Sequence, residues 1–140
     1  MLIPCALLLT GCARAPLAHT CSVTDKHFIG TTQTNMDMLG YWSSNLQTGE
    51  AKPSEVIRET KAAVIRVTAT NPTDPSLAQT RQIVRVMLAE YLRAIQAQSH
   101  NKQAGVHMMR AYGLANFAHE VLQQAEPALA SKGCDVAPLL

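Results

Sequence analysis

The side chains best suited to chemistry are four cysteines, at positions 5, 12, 21 and 134, and five histidines, at 19, 27, 100, 107 and 119. Thiols and imidazoles act as nucleophiles, proton shuttles or metal ligands when a partner sits at a fixed spacing. Those spacings are missing. There is no Cys-x-x-Cys-His, His-Glu-x-x-His, Gly-x-Ser-x-Gly or Walker loop, and Glu90, Glu120 and Glu126 lack the histidine three residues on that di-iron bundles use. His107, Met108, Met109 and His119 share one stretch, but at 100° per residue His107 and His119 stand about 120° apart around a helix. Met36, Met87 and Met109 read as filler for irregular core space. No catalytic residue, metal or cofactor is assigned, and the chain reads as a binding protein, with an enzyme of unfamiliar type as a remaining alternative.

The cysteines carry more information. From Met1 to Gly11 no residue is charged, and Ala6 to Leu9 is an apolar run far shorter than the roughly 20 residues a membrane span needs. This pattern is that of a secretory signal, although Met1 to Pro4 lack the usual Lys or Arg, so the n-region reads as truncated. The four residues Leu9-Thr10-Gly11-Cys12 resemble the lipobox of bacterial lipoproteins. The resemblance implies a signal peptide over 1–11, a diacylglyceryl group on the Cys12 thiol, further acylation such as palmitate, and attachment to a bacterial membrane of the cell envelope. Two or more acyl chains suffice for stable anchoring. The competing reading is a signal peptide cut near Ala18, with Cys12 one of its ordinary residues.

Export into an oxidising compartment leaves Cys21 and Cys134 as a pair, and a disulfide between them is the economical reading. Two free thiols or an intermolecular bridge are the alternatives. Residues 12–21 then form a short tether, 22–134 the folded domain and 135–140 a tail.

The elements that position these residues are helices. Apolar positions recur at helical period from about Thr24 to Gln47, through Phe28, Leu39, Trp42 and Leu46. Thr48 to Lys52 is a break. Pro53 opens a second helix with the stripe Val56, Thr60, Ala63 and Val67, ended by Asn71-Pro72. Asp74 as cap and Pro75 at the first position open a third, with Leu77, Val84, Met87, Leu88, Tyr91 and Ile95. A fourth is expected from about Lys102 to Glu126, burying Val106, Leu114, Phe117, Ala118, Val121 and Ala125, with Pro127 starting a separate turn.

Short connections favour antiparallel neighbours, so the expected architecture is all-α, an up-down-up-down four-helix bundle. An even number of alternating helices returns both chain ends to one end of the bundle, where Cys21 and Cys134 would meet. Four helices and a disulfide are therefore mutually supporting readings.

Antiparallel placement also sets Thr60, Tyr91, His107 and Arg110 at similar heights near Trp42. Polar groups inside apolar stripes need partners, and a converging set can line a ligand pocket. The functional readings are thus a lipid-anchored envelope module that binds a protein partner, or a small-ligand carrier using that polar layer. The 12 basic and 10 acidic residues are dispersed, so no nucleic-acid partner is expected.

Overall fold

The computed structural model describes residues 20–100 and 104–140. Cys12, the lipobox and the 1–11 segment lie outside the described residues, as does most of the tether. Four helices occur, α1 (Val23–Thr48), α2 (Pro53–Ala69), α3 (Pro75–Ser99) and α4 (Gly105–Ser131), followed by a short 3-10 turn at Ala137–Leu139. Among the described residues there is no strand. The chain is an all-α, up-down-up-down four-helix bundle whose ends are joined by the Cys21–Cys134 disulfide, with Cα atoms 5.0 Å apart.

The helix ends follow from local chemistry. The Ser22 hydroxyl accepts the Asp25 N–H at the start of α1, and Gly49 at φ 80° closes its far end, a left-handed conformation that glycine adopts without strain. Pro53 opens α2 while the Lys52 N–H donates to the Glu55 carboxylate. Asp74 accepts the N–H groups of Ser76 and Leu77 to cap α3. α4 does not stop at Glu126, as its sequence led us to expect. It continues through Pro127, because the turn beyond must carry Leu129 and then Cys134 into the core, both about 1% exposed. Pro127 and Gln123 face solvent, so water satisfies the carbonyl that loses its helical donor.

Most of the core lies towards the disulfide end, built on Phe28, Val67, Leu77, Leu88, Leu122 and Leu129. A smaller cluster of Ala51, Val56 and Ile95, with Trp42 and Leu46 against it, fills the other end. Residues 135–140 are not a free tail: Val136 is buried and Leu139 packs on the main core.

The phase of α4 differs from the expectation. Its buried residues are Ala111, Ala118, Leu122 and Leu129, whereas Val106 and Phe117 are 49% and 47% exposed. This rotates the buried face by roughly 75° at 100° per residue. α4 is apolar on nearly every side, so its periodicity does not select a face.

Helix order around the bundle is α1, α2, α3, α4. Consecutive helices pack side by side, but α1 and α4 nowhere bring their Cα atoms within 8 Å of each other. The bundle is therefore open along one seam, floored by α3.

Candidate functional site

The five residues expected to form a polar layer do not converge. The Thr60 hydroxyl is fully buried and donates to the Val56 carbonyl of its own helix at 2.7 Å. Trp42 packs in the distal apolar cluster and meets Tyr41 edge to face. Arg110 is exposed. His107 Nδ1 lies 2.7 Å from the Glu90 carboxylate, which Arg93 also contacts. Tyr91 bonds to Ser43 across α1 and α3, and burial raises its phenol pKa, partly offset by that bond. Each polar group has found a local partner or solvent, so the five form no cavity together, and Tyr91 alone of them borders one, between α1 and α4.

Glu90, which the sequence marks only as a carboxylate without a histidine three residues on, is 6% exposed. The His107 hydrogen bond and the contacts with Arg93 hold its carboxyl below the ordinary range, against the cost of burial. Its spacing on α3 carries the signal, since Glu90 lies seven residues from Ile83 and four from Ala94, both buried on the same helix face.

A second polar cluster surrounds the disulfide. Asp25, 4% exposed, accepts the backbone N–H groups of Thr73 at 2.6 Å and Asp74 at 3.0 Å, and the Thr73 hydroxyl at 3.0 Å. Asp74 in turn receives Lys132 Nζ at 2.8 Å, and the Cys21 N–H donates to the Lys132 carbonyl. The network ties the start of α1, the α2–α3 connection and the end of α4 together. Cys21, Asp25 and Cys134 bring three potential metal donors within 4.8 Å of one another, but both sulfurs are committed to the disulfide.

One cavity that the fold creates is the open seam. Between α1 and α4, a space of about 410 Å³ runs from the 3-10 turn, and a further 160 Å³ continues it towards the distal end; Met36, Met87 and Ala115 border both. Together these fall within the usual size of small-ligand sites. The two halves differ in chemistry. Thr32, Gln33, Asp37, Asn116 and His119 give the first half polar groups, whereas Leu39, Leu88, Met108 and Ala111 make the second almost wholly apolar.

One residue that lines the groove carries a buried hydroxyl without a partner. The Thr32 hydroxyl is buried, its residue 3% exposed, and has no hydrogen-bond partner among the described residues. The same groove wall includes Gly40, where an added Cβ would meet nothing within 4 Å. Small residues at Gly40, Ala111 and Ala115 thus keep the seam open. No family model, curated protein or solved structure matches this chain. Its chemistry must be read from its own residues. Among the described residues, no helix is long and apolar enough to cross a membrane.

The groove was not foreseen from sequence. On α1, Asn35 donates to the Thr31 carbonyl and accepts from Arg66, whereas the Thr32 hydroxyl has no such partner.

Proposed function

We propose that the protein is a binding module of the bacterial cell envelope, held to a membrane through lipid on Cys12, whose α1/α4 groove takes an amphiphile with one apolar chain and one hydrogen-bonding head. The carrying observation is the unpartnered Thr32 hydroxyl at the polar half of a groove whose other half is apolar. A buried hydroxyl without a partner costs about 1–3 kcal/mol, a cost that a ligand head group in hydrogen-bond reach would remove. Methionines at 36, 87 and 108 suit an alkyl chain, because their unbranched thioethers repack around apolar shapes. The chemistry of the reading is retention, with no bond made or broken. The ligand enters the carrier reading by way of the seam, which Tyr91 alone of the expected polar layer lines.

Binding is tested with a fluorescent polyene fatty acid and the full chain carrying Cys12→Ser, which removes the attachment point. Saturable binding at one site per chain is expected. Gly40→Leu should abolish it while leaving stability equal or higher, since the side chain enters open space and leucine exceeds glycine in helix propensity by about 0.8 kcal/mol. Thr32→Val should weaken binding about tenfold without destabilising the fold. Probe uptake that ignores both substitutions would remove the groove from the reading. The anchor is tested separately by intact mass of the membrane-extracted wild type, where unmodified Cys12 would remove the lipid.

A further inference from the structure

α4 turns a second surface to solvent, on the side away from the groove. Val106, Arg110, Gly113, Phe117, Glu120 and Gln124 follow each other at steps of four and three residues, and all are exposed. At 100° per residue they fall within about 80° of one another, a straight seam along the helix. Steps of this kind are those of a coiled-coil seam.

Two residues in it have no explanation within one molecule. Gly113 is in the middle of a long helix, where glycine costs about 1 kcal/mol relative to alanine. A Cβ there would meet nothing within 4 Å, so the chain's own packing does not require the glycine. Phe117, one turn on, leaves almost half of its surface in water. A missing side chain beside a protruding ring is a hole beside a knob.

We infer that the outer face of α4 binds a second copy of this chain, with the two α4 helices antiparallel about a two-fold axis between Gly113 and Phe117. That axis sets Phe117 of each copy over Gly113 of the other. It also sets Arg110 opposite Glu120 twice, a complementary charge pair at each end of the apolar centre. Parallel pairing would instead oppose arginine to arginine and glutamate to glutamate, so the charges select the antiparallel form. Met109, 70% exposed, borders the seam and extends its apolar area. An interface one helix wide belongs to the smaller class, and its dissociation constant is expected in the micromolar range or weaker. The groove remains open in such a pair, and the inference stands apart from the proposed ligand.

Sedimentation of the full chain with Cys12→Ser, as a function of concentration, tests this. The chain should dimerise reversibly. Arg110→Glu and Glu120→Arg should each weaken the dimer at least tenfold, because each opposes like charges at both positions. The double variant should restore it, and an equimolar mixture of the two single variants should form mixed dimers. Gly113→Leu should leave a monomer of unchanged or higher melting temperature. A chain that stays monomeric throughout, or a dimer indifferent to the charge exchange, overturns the inference.

Discussion

Asp25 shows how one carboxylate decides a fold's acid response. Burial drives its pKa up, but bonds from the Asp74 N–H, the Ser22 hydroxyl and both donors of Thr73 outweigh that and hold it below the ordinary range. The unfolded chain, titrating near 3.9, therefore binds the proton more readily than the native one. Stability from Asp25 is fully present above that pH and is lost as pH falls through the lower native pKa. Asp25→Asn should cost about 2 kcal/mol at neutral pH and flatten the fall in melting temperature below about pH 4. Thermal melts across that range check it; an unchanged acid slope would rule out Asp25 as the source. Nothing in the sequence singles out Asp25, because its partners are 48 and 49 residues away. The same limit hid Thr32. A hydroxyl's partner, or its lack of one, is a property of tertiary placement that residue type does not encode.

At the scale of elements, legibility followed the strength of local physics. α2 and α3 begin at the prolines that mark them, and Val56, Thr60, Ala63 and Val67 are all wholly buried, because a narrow apolar stripe leaves a helix one way to face the core. α4 offered several ways, so Val106 and Phe117 were placed inside and are found outside. Pro127 misled for a related reason: its local cost is real, but burial of Leu129 and Cys134 beyond it outweighs that cost. Pro127→Ala should restore the missing hydrogen bond to the Gln123 carbonyl and stabilise the protein by about 1–3 kcal/mol, less the entropy that alanine returns to the unfolded chain. Chemical denaturation measures this directly. A loss of stability would mean that α4 needs its proline for shape.

For the whole molecule, the disulfide and the helix count were legible together because topology constrains both, while the groove was not, because a seam is set by the distance between helices far apart in sequence. The same topology says how the disulfide acts. Cys21 and Cys134 are 113 residues apart, and a loop of that length corresponds to about 4.8 kcal/mol of stabilisation in the chain-entropy model. In the folded state the disulfide adds little positional restraint, since the Asp25 bonds to Thr73 and Asp74, the Lys132–Asp74 pair and the Cys21 bond to Lys132 already hold the same end closed. Its contribution should therefore come almost entirely from restricting the unfolded chain. Replacing both cysteines with serine should lower stability by about 4–5 kcal/mol, raise the denaturant dependence as the unfolded state expands, and leave helix content unchanged. Kinetics separate the two origins. Slower folding with nearly constant unfolding places the effect in the unfolded chain, whereas faster unfolding would show that the bond, and not the polar network beside it, holds the ends of α1 and α4 together.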